Sequence, residues 1–187
     1  MTPEPRYRHW KNSQNNGATC LVTTTCLDFA HLFKREELRS VVVESLVADA
    51  VYYRAHLHAF VVMTHHFHAL VTPHEDSTIS ELMKSMKRNI TKKLKPLLNE
   101  FELSQLKQQA GLNRSTIWKG SFRGLEIRTE DVFWQKVEYI HMNPVRGELA
   151  EWPSSYLWSS AYWYEQEMQL EGFELDCASI LASLRSG

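Results

Sequence analysis

The stretch between residues 54 and 72 constrains the fold of this chain more than any other. Two β-favouring apolar runs, RAHLHAFVVM at 54–63 and FHALVT at 67–72, stand only three residues apart. Runs that close read as an antiparallel hairpin, because a parallel pair needs a crossover of a dozen or more residues. A β-branched run at 19–27 (TCLVTTTCL) and a short stretch at 122–127 supply two further strands. Two segments between them change to helical spacing. Leu38, Val41, Val42, Leu46 and Ala50 mark a helix over 35–51, and Ile79, Leu82, Met83, Met86, Ile90, Leu94 and Leu97 mark a long amphipathic one over 77–98. A third helix is expected over 129–143, stopped by Pro144. The order is therefore β-α-β-β-α-β-α. Its first six elements match the ferredoxin-like split βαβ arrangement, an α+β fold with an antiparallel sheet and helices on one face.

A fold of this kind hosts many chemistries, so function has to come from particular residues. The 187 residues, without repeats or an internal Pro/Gly linker, suit one domain over 17–162, with a flexible arm at 1–16 and an extension at 163–187. The polar N-terminal stretch has no apolar core of a secretory signal, and no window is apolar enough to span a membrane. Cys20, Cys26 and Cys177 form no CxxC pair and read as reduced thiols of a cytoplasmic protein. The net charge of -1 carries no overall basic signature, so any nucleic acid would have to be held by a local patch.

The segment VVMTHHFHALVT holds the sharpest chemical signal. His66 and His68 are alternate residues of the expected strand, so both imidazoles leave on one face and Phe67 leaves on the other. Two neutral imidazoles side by side on a rigid strand make half of a metal site and need a further ligand. The pattern alone is weak: His56 and His58 repeat it one strand earlier. By the same alternation His65 is expected to face away from His66. A second signal lies in FWQKVEYIHMNPVRG, where Tyr139 and Asn143 are four apart and share one helix face. A tyrosine can act as a nucleophile with help from a metal or a base. Asn143, placed before a proline and so expected at the helix end, has an amide oxygen suited to a hard divalent cation. Either residue taken alone reads more simply as packing or as a helix stop.

Taken together, these segments resemble the single-tyrosine HUH transposases, and within them the REP-associated tyrosine transposases. The HUH triplet is His66-Phe67-His68, and YIHMNPVRG is similar to that family's Tyr-Ile-x-x-Asn-Pro-Val-Lys/Arg stretch. GATCLVTTTCLDFAHLF resembles its first strand, and WPSSYLWSSA the segment after its tyrosine helix, so the likeness runs from about residue 17 to about 162. Four positions depart from the pattern: the glycine after NPVR, Gly147, stands one place early, and three others differ in residue type. Thr64 and His65 stand where proline and Asn or Glu are common, and Gly124 stands where an acidic residue is common, with Glu126 out of register to replace it.

The resemblance implies metal-dependent cleavage and strand transfer of single-stranded, hairpin-containing DNA. Tyr139 would attack a phosphate to give a 5′-phosphotyrosine and a free 3′-OH, with Mg²⁺ or Mn²⁺ held by His66, His68 and Asn143. DNA-binding candidates are Lys84, Lys87, Arg88, Lys92 and Lys93 on the long helix, with Lys95 beside them, and Arg123 and Arg146 around the tyrosine helix. Arg114, Lys119 and Arg128 are second candidates, and Trp118, Phe122, Trp152, Tyr156, Trp158 and Trp163 are available for stacking, most of them as core. Such a protein would act at the nucleoid as a monomer or a homodimer, with Tyr139 reaching its own histidines or a partner's. The alternatives are a replication or mobilisation nuclease of HUH type, and a ferredoxin-like nucleic-acid-binding protein without catalysis.

Overall fold

A computed structural model describes residues 12–110 and 117–166. Its elements are β1 (Cys20–Thr25), α1 (Glu36–Tyr52), β2 (His56–Val62), β3 (His66–Thr72), α2 (Ile79–Leu94), α3 (Glu100–Ala110), β4 (Arg123–Glu126), α4 (Glu130–Arg146) and α5 (Ser160–Glu165). The expected hairpin forms: Val62 pairs with Phe67, and the Met63 N–H donates to the His66 carbonyl across the three-residue connection. The four strands make one antiparallel sheet in the order β2-β3-β1-β4, the order of the split βαβ arrangement.

Side-chain alternation divides the sheet into two apolar faces. Val22, Phe60, Val62, Phe67, Ala69 and Val71 join Leu38, Val42 and Leu46 of α1 and Ile79, Met83, Met86 and Ile90 of α2. Helices α1 and α2 therefore lie on one face, as expected. Helix α4 covers the other. Phe133, Val137 and Ile140 of α4 pack with Ala59, Val61, Leu70 and Tyr156. Phe133 and Ile140 are fully buried, and each such side chain contributes about 1.5–3 kcal/mol, enough to seat α4 firmly.

The edge strand β2 is covered by the segment after α4. The Val62 N–H donates to the Trp158 carbonyl, the Phe60 N–H to Ser160 Oγ, the Tyr156 hydroxyl to the Val62 carbonyl and the Tyr164 hydroxyl to the His58 carbonyl. These bonds satisfy an edge that would otherwise offer a template for strand pairing. At the opposite edge, the Gly124 N–H donates to Asn12 Oδ1, and Ser13 and Asn15 hold the Glu126 carboxylate.

Three local expectations are corrected. The long helix ends at Leu94 and passes into one turn of 3₁₀-helix at Lys95–Leu97, whose centre is Pro96. A helix not anticipated, α3, follows it. Pro144 does not stop α4, which runs on to Arg146. A proline costs a helix its N–H bond to the preceding turn, and here that loss falls within the last turn. The Gly147 and Leu149 N–H groups then close the helix end on the Asn143 and Pro144 carbonyls.

Cys20 and Cys26 are buried and unpaired, and burial pushes both thiols up, Cys20 to about 12. They are core residues. Cys177 and Arg114 lie outside the described residues. Among the described residues no helix is long and apolar enough to cross a membrane.

Candidate active site

His66 and His68 leave β3 on the face covered by α4, opposite to Phe67, which is fully buried in the α1/α2 core. Their ring centroids are 4.8 Å apart. Tyr139, on α4, stands edge-on to His68 with ring centroids 5.3 Å apart, and stays 36% exposed. The guanidinium of Arg146, two turns later, lies 5.8 Å from the centre of the Tyr139 ring. One chain thus brings together its own histidine pair, its own tyrosine and a cation.

Asn143 is in helical conformation, one turn beyond Tyr139, and its Nδ2 donates to the Tyr139 carbonyl at 2.6 Å. This corrects the expectation that Asn143 stands at the helix end, since α4 runs on to Arg146. The bond engages the amide nitrogen and leaves Oδ1 as the atom with ligand character.

The two histidines are fixed by different neighbours. His68 Nδ1 is 2.8 Å from Thr23 Oγ1, across the β1–β3 pairing. With Nδ1–H donating to the hydroxyl, the Nε2 lone pair is the one available to a metal. Thr23 is absent from the residues that sequence reasoning singles out; its signal is the pairing register itself, which sets Thr23 directly opposite His68. His66 Nδ1 is 3.1 Å from His65 Nε2, and the ring centroids are 4.4 Å apart. His65 therefore turns toward His66 and not away from it. Residue 65 precedes β3 and sits in the hairpin connection, where strand alternation does not apply.

Burial lowers both imidazoles, His66 to about 3 and His68 to about 4, and neighbouring imidazoles push them further the same way: His68, His65 and His31 on His66, and His65 on His68. Both rings are neutral at pH 7. Two neutral imidazoles fit a divalent cation that keeps open positions for oxygen ligands, and Asn143 Oδ1 is an oxygen of that kind, one turn beyond Tyr139 on α4. Among the described residues, the group of His, Asp and Glu atoms close enough to hold an ion is a different one, His74, Glu75 and Asp76. It is a surface turn knit by its own bonds, with His74 Nδ1 accepting from the Asp76 N–H, and it does not include the histidine pair.

The position of Gly124 explains why no carboxylate reaches this site from β4. Gly124 pairs with Val22 and so faces the α1/α2 side, where a Cβ would come within 3.0 Å of the Phe122 ring. Glu126 shares that side and is occupied by Ser13, Asn15 and Arg128. Arg123 alternates with them. It pairs with Thr23, which pairs with His68, so the three form one row on the site face.

The cations divide accordingly. Arg123 and Arg146 come to the site. Lys84, Arg88, Lys92 and Lys93 are carried by α2, in the helix layer on the opposite face of the sheet, with Lys84, Arg88, Lys92 and Lys93 all outside its buried stripe. Lys87 is half-buried, and its Nζ donates to the Gly120 carbonyl. Of the aromatic candidates, Trp118, Phe122 and Tyr156 are buried, Trp158 and Trp163 pack against the core, and Trp152 is exposed. Of the second HxH pair, His58 is structural, fully buried with Nε2 2.9 Å from Thr72 Oγ1, while His56 is exposed and stacks on it.

Comparison with known proteins finds a family match over residues 22–143, to the family described as "Transposase IS200 like". That span runs from within β1 to Asn143 and includes the histidine pair and Tyr139. No curated protein matches by sequence. One similar solved structure is that of a REP-associated tyrosine transposase bound to a REP hairpin, with a TM-score of 0.61 and 18% identity, covering 95% of this chain and 92% of that one. Another is a putative transposase from Deinococcus radiodurans, with a TM-score of 0.44 and 17% identity, covering 70% of this chain and 95% of that one.

Proposed function

Because this chain belongs to the IS200-like transposase family, we propose that it cleaves and rejoins single-stranded DNA through a covalent bond to Tyr139. The observation that carries this reading is the edge-on contact of Tyr139 with His68, beside His66 and under Arg146. Tyr139 Oη attacks phosphorus in line, the bond from phosphorus to the 3′ oxygen breaks, and a 5′-phosphotyrosine and a 3′-OH result. The phenol proton leaves to solvent and the departing 3′ oxygen takes one up. Rejoining is the same step in reverse with the 3′-OH of another strand, so the phosphodiester energy is kept.

His66 and His68, each through Nε2, and Asn143 through Oδ1 are the residues that would hold Mg²⁺ or Mn²⁺. The chemistry such an ion would supply is Lewis-acid polarisation of the scissile phosphate, spreading the charge that builds on its oxygens. Arg146 adds a positive charge over the Tyr139 ring, 5.8 Å from its centre. The substrate class we propose is hairpin-containing DNA of the REP type. The similar structure bound to a REP hairpin supports it, as does the YIHMNPVRG stretch.

Incubation of the protein with labelled hairpin DNA and Mn²⁺, followed by denaturing electrophoresis, tests the reading. A boiling-resistant adduct is expected from the wild type. Tyr139→Phe should lose it while hairpin affinity is unchanged, and His66→Ala should lose cleavage. An adduct that persists in Tyr139→Phe removes Tyr139 as nucleophile. Hairpin binding by the wild type with no adduct on any substrate would instead identify a binding protein.

A further inference from the structure

Resting on the reading of His66 as a metal ligand, we propose that His65, Thr64 and His31 form a hydrogen-bonded relay that fixes the tautomer and ring orientation of His66. These three are positioning residues. His66 Nδ1 lies 3.1 Å from His65 Nε2, His65 Nδ1 lies 3.5 Å from Thr64 Oγ1, and Thr64 Oγ1 lies 2.7 Å from His31 Nδ1. Two assignments of protons, opposite in direction, satisfy every member, and a His66 that offers Nε2 to a metal corresponds to the one that follows. His66 Nδ1–H donates to His65 Nε2, His65 Nδ1–H donates to the Thr64 hydroxyl oxygen, and the Thr64 hydroxyl hydrogen goes to His31 Nδ1. Each imidazole then carries one proton, and His66 is left with its lone pair on Nε2. Metal-binding histidines depend on such partners, because the bond made by one ring nitrogen decides which nitrogen the metal can take. Thr23 does this for His68 with a single hydroxyl; His66 has the longer chain.

The backbone around the relay is clamped. The Cys26 N–H donates to the His65 carbonyl at 2.7 Å, and the Phe33 N–H donates to the Thr64 carbonyl at 2.9 Å. Between these clamps the chain reverses through Asp28 and Phe29, at φ 47 and 59. Neither is glycine, and a left-handed conformation costs an ordinary residue roughly 1–2 kcal/mol. Strain of this kind persists where the surroundings over-determine it. Here the reversal is what sets His31 above Thr64. His31 and Phe29 also meet the His65 ring edge-on, at centroid separations of 5.0 and 5.9 Å, which limits its rotation.

Metal-free protein labelled with ¹⁵N in its imidazoles reads the tautomers directly, through long-range proton–nitrogen correlation. The wild type is expected to show His66 and His65 each as a single Nδ1–H tautomer. His65→Phe should turn His66 into a mixture while His68, held by Thr23, is unchanged. His65→Gln, whose side-chain oxygen can accept the same bond, should restore the single form. Thr64→Val should release His65 but leave the fold intact. A mixed His66 in the wild type, or an unchanged His66 in His65→Phe, overturns the relay.

Manganese binding, followed by electron paramagnetic resonance, gives the second readout. His65→Phe should weaken it about tenfold, the usual scale when a metal-bound histidine is deprived of its partner, and His65→Gln should recover most of it. His66→Ala should lose binding altogether. If His66→Ala binds manganese as tightly as the wild type, the metal reading fails, while the tautomer spectra still judge the relay by themselves. Direct manganese broadening of His65 Nε2, as for a ligand, overturns the relay in favour of a three-histidine site.

Discussion

Thr23 decides which nitrogen His68 can offer. Its hydroxyl is 2.8 Å from His68 Nδ1, and the His68 ring is buried. Thr23→Val keeps the shape and removes the acceptor. The orphaned N–H of a buried ring costs about 1–3 kcal/mol of stability. Without the tautomer lock, the Mn²⁺ concentration needed for half-maximal cleavage should also rise by about tenfold. Thr23→Ser should preserve both. Urea denaturation and a metal titration of adduct formation check the two effects separately. A Thr23→Val variant that loses stability yet keeps its metal dependence would reduce Thr23 to a packing residue.

At the scale of elements, the two faces of the sheet separate chemistry from the basic stripe. Arg146 sits at the tyrosine, whereas Lys84, Arg88 and Lys92 ride on α2 in the opposite layer. Exchanging those three for glutamine is expected to weaken hairpin binding. The slope of log affinity against log salt should fall by roughly one for each phosphate that is no longer neutralised. The single-turnover rate of adduct formation at saturating DNA should stay near wild type. Arg146→Gln should do the reverse, slowing the rate with little change in the salt slope. Unaltered affinity in the α2 variant would make that stripe a solvated helix face. The hairpin behind this division is legible in the sequence, because two β-favouring runs stand only three residues apart, whereas the register shift between Leu57 and Ala59 has no signal in two runs that are buried on both faces. The placement of α4 is not legible either. Tyr139 and Asn143 share a helix face by spacing alone, but which sheet face that helix covers depends on Phe133, Val137 and Ile140 meeting Val61 and Leu70, a contact between segments distant in the chain. The helix α3 does announce itself, in Asn99 and Glu102. The Asn99 side chain accepts from the Glu102 N–H while the Glu102 carboxylate accepts from the Asn99 N–H, a reciprocal cap readable from an N-x-x-E spacing. His65 escapes the alternation rule because it stands just before the strand begins, where the hairpin connection sets its direction.

The whole molecule carries these choices as a sensitivity to acid. Three imidazoles are held far down in the fold, His66 to about 3, His68 to about 4 and His141 to about 4, and a fourth, His65, is lowered in the same direction, in each case chiefly by burial. In the unfolded chain a histidine titrates near 6.5. Above that value neither state binds the proton, and these groups leave stability unchanged. As the pH falls below about 6.5 the unfolded chain gains protons that the folded one refuses, so stability drops until the folded values are reached. For His141 the loss is about 3 kcal/mol by pH 4. Three such groups draw on a total stability of about 5–15 kcal/mol, so the metal-free protein should unfold between roughly pH 6 and 4. His141 separates this effect from the histidine pair. It lies on α4, with its Nε2 2.9 Å from Ser160 Oγ, and joins that helix to α5. His141→Gln retains a hydrogen-bonding group but cannot titrate. Its stability at pH 7 should be close to wild type or somewhat lower, and its decline from pH 6.5 to 4 should be shallower by about 3 kcal/mol. Urea denaturation at a series of pH values measures the slope. Added Mn²⁺ should raise stability at pH 7 in both proteins, since it binds the folded state. A pH profile that His141→Gln leaves unchanged would mean that His141 takes up its proton as readily in the folded protein as in the unfolded chain, and that the junction of α4 with α5 is open to water.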